Sequence, residues 1–357
     1  MKASPVHLVF RNEAFADHEQ IVFCRDVESG LSAIIAIHDT TLGPALGGTR
    51  MWPYESEAAA LRDVLRLSHG MTYKNALAGL PLGGGKAVIV GDPKRHKSPA
   101  LFHAYGRYVD RLGGAYLTAE DVGVSVDDVV EVGTATAHVR GIPEGGAGDP
   151  SPHTAYGVYK GIVAAARHKH GSADLDGITV CVQGLGQVGM ALAELLHEAG
   201  AGLVVADVRD AAVADAVERF GAAAVSPQEA HAADCDVFAP CALGAILNER
   251  TIPELKARIV AGSANNQLER SADGERLLER GVLYAPDFVI NAGGVICISH
   301  EGPDFDLEAM RKDVAAIGDT LATIFARSDA QGLATSVVAD RMAEERLAEA
   351  RNAAAAG

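Results

Sequence analysis

Aromatic side chains are scarce in this chain of 357 residues: nine Phe, eight Tyr and one Trp, 5% of the total. With abundant Ala and 39 Gly, that suits helices packed closely on sheets. Cysteine is scarce too. Cys24, Cys181, Cys235, Cys241 and Cys297 are odd in number and form no Cys-x-x-Cys pair, which excludes a disulfide framework and a zinc ribbon. Reduced thiols point to the cytoplasm. No apolar run approaches the ~18 residues of a membrane span, and residues 1–10 carry no apolar core after Lys2, so neither an anchor nor a secretory signal is read. Basic residues are the minority charge: 31 Lys and Arg against 47 Asp and Glu give −16 and a pI near 5.2. That field repels nucleic acid and anionic membranes, and no Lys/Arg cluster overcomes it locally. The thirteen histidines are scattered without His-Glu-x-x-His spacing, so no metal site is predicted.

Hydrophobic residues make up 48% and charged residues 22%, ordinary globular proportions, in a length that suits two domains. Apolar runs at 21–23, 32–37 and 87–90 read as strands, with helices over 56–70 and 99–112. The alternation predicts an α/β first domain. A Gly/Pro-rich stretch, 141–150, reads as a hinge or lid and places the domain boundary at 148/149. Ser151 then serves as helix N-cap with Pro152 at the first helical position, and the helix runs to about His168. Short apolar runs at 178–182, 203–206, 237–239, 259–260 and 289–290 describe a doubly wound parallel sheet over 149–329. Residues 307–350 are helical in pattern. The terminal helix, about 330–357, is expected to pack back on the first domain and to fray over 353–357.

Gly184-Leu185-Gly186-Gln187-Val188-Gly189 matches G-x-G-x-x-G, with an apolar strand before it and an Ala/Leu-rich helix, 190–199, after it. In that context the first glycine permits the tight turn, the second lets backbone approach a pyrophosphate, and the third lets helix and strand pack. The phosphates then meet the positive end of the helix. Asp207 closes the next strand, 18 residues after Gly189, where a carboxylate can bind ribose hydroxyls and repel a 2′-phosphate. NAD is therefore expected over NADP, although Arg209 beside it weakens the discrimination.

A second segment joins Met71-Thr72-Tyr73-Lys74-Asn75 to Gly83-Gly84-Gly85-Lys86. A phosphate-binding P-loop fails at two positions: Leu80 stands where its first glycine belongs and Ala87 where it needs Ser or Thr. Lys86 instead reads as following a glycine loop that opens the backbone to a substrate. Alone it reads first as a snorkelling surface lysine. With Lys74 and Asp121 nearby, two lysines at one cleft would depress each other's pKa and leave one as a base near neutral pH.

These segments resemble the glutamate/leucine/phenylalanine/valine dehydrogenase family. The resemblance also rests on Gly43-Pro44-Ala45-Leu46-Gly47-Gly48-Thr49-Arg50, Ala119-Glu120-Asp121-Val122-Gly123 and Pro150-Ser151-Pro152-His153-Thr154-Ala155-Tyr156-Gly157. Ala239-Pro240-Cys241-Ala242-Leu243-Gly244, Ala264-Asn265-Asn266-Gln267-Leu268 and Asn291-Ala292-Gly293-Gly294-Val295 complete it, over about residues 20–345. It implies an α/β catalytic domain (1–148) and a Rossmann-like NAD domain (149–329) with a cleft between them. It implies further that Lys74 binds the substrate α-carboxylate with the backbone around Gly47, that Lys86 is the general base, and that Asp121 relays a proton. Leu46, Met71, Ala119, Val295 and Ile298 would surround the substrate. Thr154, Asn265 and Asn291 would meet the nicotinamide end, with Leu185, Gln187, Val188, Val208, Cys241 and Ala242 along the rest of the cofactor. Cys241 has no paired histidine and is read as a small buried thiol, not a nucleophile.

Glutamate-specific members carry a lysine where this chain has Leu46, so no cation awaits a second carboxylate. The implied reaction is reversible oxidative deamination of branched-chain L-amino acids, leucine first, to 2-oxo acid and ammonium. One methylene separates leucine from valine by only ~1–3 kcal/mol, so the apolar class is firmer than its member. The 141–148 linker leans towards valine enzymes, while Ala119-Glu120-Asp121-Val122-Gly123 and Met51-Trp52 lean back to leucine; a valine or phenylalanine dehydrogenase is the alternative. The family implies a homo-oligomer, from dimer to octamer. Two rivals are weighed: a non-catalytic NAD sensor, opposed by the presence of Lys74, Lys86 and Asp121, and a 2-hydroxy-acid dehydrogenase, opposed by the lack of a joined His–Asp/Glu pair with Arg.

Overall fold

The computed structural model describes residues 9–142 and 148–356. Most of the amino-terminal segment read for a signal, residues 143–147 of the hinge reading, and Gly357 lie outside the described residues. The chain divides into two compact units. The first comprises Met1–Gly148, Glu301–Phe305 and Glu344–Gly357; the second comprises Asp149–His300 and Asp306–Ala343.

The first unit runs β1 (Gln20–Asp26), β2 (Leu31–Asp39), β3 (Ala45–Trp52), α1 (Glu57–Leu77), β4 (Gly83–Val90), α2 (Pro99–Asp110), β5 (Tyr116–Glu120) and α3 (Val126–Gly133). Its sheet has the order β1-β2-β4-β3-β5, antiparallel at β1/β2/β4 and parallel at β4/β3/β5. Ser56 caps α1 by accepting from the Ala59 amide, and Ala60, Leu61, Val64 and Leu65 bury its apolar face.

The helix expected to stop at Gly70 continues to Leu77. Its inward face simply turns polar, with Ser68, Thr72 and Asn75 fully buried. Each has a partner: Ser68 hydroxyl to His18 Nε2 (2.9 Å), Thr72 hydroxyl to His38 Nδ1 (2.8 Å), and Asn75 Nδ2 donating to the Gly83 carbonyl (2.6 Å). The triple glycine, read above as a loop, lies inside β4. A side chain at Gly84 would stand 2.1 Å from the Thr72 amide nitrogen, so glycine is what lets α1 lie on the strand.

The rings of His18, His38 and, on α1, His69 meet edge to face in sequence, with centroids 4.8 and 4.7 Å apart. Burial lowers the pKa of each, that of His38 to about 4 from 6.5. Protonation therefore favours the unfolded chain. Stability is complete above pH 6.5 and falls as pH descends towards 4, by about 3 kcal/mol from His38 alone. Between pH 7.5 and 5 the loss from His38 should be about 2 kcal/mol, read from the urea midpoints, and His38→Gln should shrink it. Equal pH dependence in both proteins would rule His38 out.

The second unit contains α4 (Ser151–His170), β6 (Thr179–Gln183), α5 (Gln187–Glu198), β7 (Gly202–Ala206), α6 (Asp210–Phe220), β8 (Ala223–Ala224), β9 (Val237–Pro240) and β10 (Ile259–Val260). It continues with α7 (Ala272–Glu279), β11 (Leu283–Tyr284), α8 (Asp287–Ile290), α9 (Gly293–Ser299), α10 (Leu307–Ala315), α11 (Ile317–Gln331) and α12 (Thr335–Ala356). Its six strands are all parallel in the order β11-β10-β9-β6-β7-β8, a doubly wound sheet that reverses direction beside β6.

Several expectations are corrected. Ser151 is the first residue of α4 and not its cap; Pro150 holds that place, and the Asp149 carboxylate accepts the Ser151 amide at 2.8 Å. Val289 and Ile290 lie in the short helix α8, and the outer strand is Leu283–Tyr284. The chain does not leave the second unit at about residue 330. Val338, Ala339 and Ala343 are buried, the Thr335 hydroxyl donates to the Tyr284 carbonyl at 2.7 Å, and only Glu344–Gly357 belongs to the first unit. There Tyr73 donates to Glu344 and Arg351 pairs with Asp39. The end expected to fray is helical to Ala356.

Candidate active site

Parallel pairing of β3 with β4 and β5 brings three carboxyl-terminal strand ends together in the first unit. Lys86 on β4 is only 6% exposed, and its Nζ lies 3.2 Å from Asp121 Oδ2, just beyond β5. Arg50 on β3 donates from Nε to the same oxygen at 2.9 Å. Its Nη1 reaches Asp63 on α1 at 3.1 Å, and Asp63 also accepts from Tyr54 at 2.6 Å. Burial pushes the Asp121 carboxyl up, but Lys86 and Arg50 outweigh it and hold the group below the usual range. Lys86 thus meets a carboxylate shared with an arginine. Asp121 also closes a turn, its carbonyl accepting the Val124 amide at 2.9 Å.

The surroundings are rigid. Thr49, Thr118 and Tyr105 share a buried hydroxyl network, with both contacts from Thr49 at 2.6 Å, and Tyr116 donates to the Gly47 carbonyl at 2.6 Å. Leu46 is wholly buried in β3 and Ala119 is 3% exposed in β5. Lys74 and Met71 are half-buried on α1, and a side chain at Gly47 would touch Met71 Cγ at 3.3 Å. The structure thus gathers Lys86 and Asp121, and it sets Gly47 against Met71 and the Gly85 carbonyl, with Gly48 against Asp121. Arg50, Asp63 and Tyr54 were not singled out from the sequence. Arg50 had been quoted only as part of a motif, and its partners lie 13 and 71 residues away.

In the second unit the glycine fingerprint joins β6 to α5, and the glycines differ in surroundings. Gly184 has φ +98° and a side chain there would press on Ala242; one at Gly189 would strike the Gly184 carbonyl; one at Gly186 would meet nothing within 4 Å. The turn and packing positions are closed and the middle position is open, as a pyrophosphate-binding backbone requires. Asp207, after β7, accepts the Leu185 amide at 2.6 Å and is contacted by Arg209 at 3.1 Å. Burial opposes its ionisation, but Arg209 and the Leu185 amide outweigh this and lower its pKa.

Around the carboxyl ends of the parallel strands lie the other predicted residues. Asn291 donates from Nδ2 to Asn265 Oδ1 at 2.8 Å, while its buried Oδ1 has no protein partner. The Thr154 hydroxyl donates to the Pro150 carbonyl at 3.1 Å, and a side chain at Gly294 would meet it at 3.0 Å. Gln187, the first residue of α5, accepts from Ser151 at 3.4 Å, and Val188 follows it. Cys241 is half-buried beside Gly184, and burial raises its thiol pKa, unlike an activated nucleophile. Val208 is 84% exposed, and Val295 and Ile298 lie on α9, buried and half-buried. The open glycine, the ionised Asp207 and the orphaned Asn291 oxygen fit a dinucleotide. Among the described residues no group of three His, Cys, Asp or Glu could hold a metal ion, and no helix is long and apolar enough to cross a membrane.

Residues 18–138 match the dimerisation domain of the Glu/Leu/Phe/Val dehydrogenases, and residues 145–217 and 203–303 match the glutamate/leucine/phenylalanine/valine dehydrogenase domain. The chain is 55% identical to a leucine dehydrogenase of Bacillus cereus, over 94% of this chain and 92% of that one. It is 49% identical to a valine dehydrogenase of Streptomyces albus, over 98% and 97%. The L-tryptophan dehydrogenase structure from Nostoc punctiforme superposes with a TM-score of 0.84 at 47% identity, covering 94% of this chain and 97% of that one. With both domains matched and identities this high over nearly the whole chain, the protein belongs to the glutamate/leucine/phenylalanine/valine dehydrogenase family.

Proposed function

We propose that the chain catalyses the reversible, NAD-dependent oxidative deamination of branched-chain L-amino acids, leucine first, to 2-oxo acid and ammonium. The observation that carries this is the Lys86–Asp121 contact at 3.2 Å, in a member of the family whose residue 46 is a fully buried leucine. The first unit binds substrate and the second binds dinucleotide. Lys74 holds the α-carboxylate, with the backbone around Gly47, by charge. A bound NAD would supply the hydride acceptor for the substrate Cα, whose oxidation gives an imine. Acting as base, Lys86 takes a proton from water as its oxygen bonds to the imine carbon, and Asp121 carries that proton on to the amine; the C–N bond then breaks as the hydroxyl gives its own proton to Lys86 and the C=O forms.

Leu46, Met71, Ala119, Val295 and Ile298 give the side chain an apolar setting. A second carboxylate there would be buried without a counterion, which disfavours glutamate. Thr154, Asn265 and Asn291 serve the nicotinamide end. The 184–189 turn, Asp207, Val208, Cys241 and Ala242 serve the rest, and the ionised Asp207 favours NAD over NADP. Similarity to the Streptomyces albus enzyme makes valine the second reading. The working form is a homo-oligomer in the cytoplasm.

The deciding assay follows NADH absorbance with leucine, valine, phenylalanine or glutamate. Leucine is expected to give the highest kcat/KM and glutamate to lie at least about a hundredfold lower, the size of an unpaired buried charge. If none of the four turns over while NAD still binds, the proposal is wrong.

A further inference from the structure

We infer that Arg50 is a positioning residue for the reaction, sharing Asp121 with Lys86 so that Lys86 can lose its proton without stranding a buried carboxylate. This rests on the reading of Lys86 as the base and adds a reason why that base can work beside an anion.

Arg50 Nε and Lys86 Nζ converge on one oxygen, Asp121 Oδ2, at 2.9 and 3.2 Å. Oδ1 carries neither contact and is the oxygen left for the reacting groups. Arg50 is itself anchored at its other end, by Asp63 at 3.1 Å, and Asp63 is fixed by the Tyr54 hydroxyl at 2.6 Å. Two cations and two carboxylates thus form one formally neutral chain spanning β4, β3 and α1. An isolated buried Lys–Asp pair resists deprotonation, because the product is an uncompensated buried carboxylate. Here the Lys86 proton can go to solvent while Asp121 keeps a guanidinium partner that never deprotonates. Lys86 is then ready to take a proton from the attacking water.

The groups facing this chain are Lys86 from β4, Asp63 from α1, Tyr54 from the β3–α1 connection and Tyr116 from β5. Glu55, Arg62 and Arg66 line the adjoining cavity. Of the described cations, Lys86 and Arg50 are the ones in contact with Asp121.

The test is the pH profile of kcat/KM for leucine with NAD, between pH 6 and 10.5, with thermal melts recorded for each variant. In Arg50→Met the acidic limb should move up by about one pH unit or more. That is a loss of about tenfold at neutral pH, largely recovered at alkaline pH. Arg50→Lys, which restores the charge, should recover part of the shift. Asp63→Asn should move the limb the other way, because Arg50 then gives its whole charge to Asp121. A merely structural role predicts lower activity in every variant with the limb fixed. Limbs that stay put, or that move in the same direction in Arg50→Met and Asp63→Asn, overturn the inference. Should Arg50→Met not fold, the sign of the Asp63→Asn shift decides. The base reading is checked separately by adding a small alkylamine to Lys86→Ala. Restored turnover supports Lys86 as the base whatever the Arg50 variants show, and no restoration removes that base and the inference with it.

Discussion

Lys86→Ala is expected to reduce turnover of leucine by about a thousandfold while leaving NAD affinity within about threefold of the parent, since a placed general base contributes about 10²–10⁴. Two separations support that split. The lysine belongs to β4 of the first unit, whereas the fingerprint, Asp207 and Asn291 belong to the second. Lys86 also makes its ion pair with Asp121, which retains Arg50 at 2.9 Å when the lysine is gone, so the carboxylate is not orphaned and the strand should hold. Stopped assays at saturating leucine give the rate, and quenching of protein fluorescence gives NAD binding. Turnover within threefold of the parent would mean that Lys86 is not the base. Loss of both turnover and NAD binding would instead point to collapse, which the melting temperature reports directly.

What could be read along the chain was what is local in it. The 184–189 fingerprint carries its strand, turn and helix within one short stretch, and the structure shows the turn, the open middle glycine and the packed third. The same locality misled elsewhere. Strand β3 begins Ala45-Leu46-Gly47-Gly48, and two glycines in eight residues hide it from any alternation rule, although it lies between β4 and β5. The end of α1 was missed because Ser68, Thr72 and Asn75 are buried by hydrogen bonds and not by apolar contact. Val289-Ile290 is β-branched and apolar but too short to separate a strand from a helical turn. The charged chain from Lys86 through Asp121 and Arg50 to Asp63 and Tyr54 depends on strand order, and no periodicity records strand order. Motifs contain Lys86, Asp121 and Arg50 alike; only the sheet places Arg50 on the carboxylate that Lys86 uses.

Asp207→Asn is expected to shift cofactor preference towards NADP by about a hundredfold or more in the ratio of kcat/KM values. Asp207 is ionised, and a ribose diol loses a charge-assisted acceptor when the charge goes, which costs about 1.5–3 kcal/mol, or about ten- to a hundredfold in NAD efficiency. The same change removes the repulsion of a 2′-phosphate. It also loosens Arg209, whose Nε is held by the carboxylate at 3.1 Å and whose Nη2 donates to the Leu185 carbonyl at 2.8 Å, so that a guanidinium becomes available to the phosphate. Asparagine is the right probe because its Oδ1 can still accept the Leu185 amide, the 2.6 Å contact by which Asp207 secures the glycine turn. Alanine would confuse loss of charge with loss of the turn. Arg209→Ala in the Asp207→Asn background should give back most of the gained NADP activity without restoring NAD efficiency, since it removes the new cation and adds no anion. An unchanged NAD/NADP ratio in Asp207→Asn would show that the adenosine ribose is read elsewhere, and Asp207 would then serve only to hold the turn.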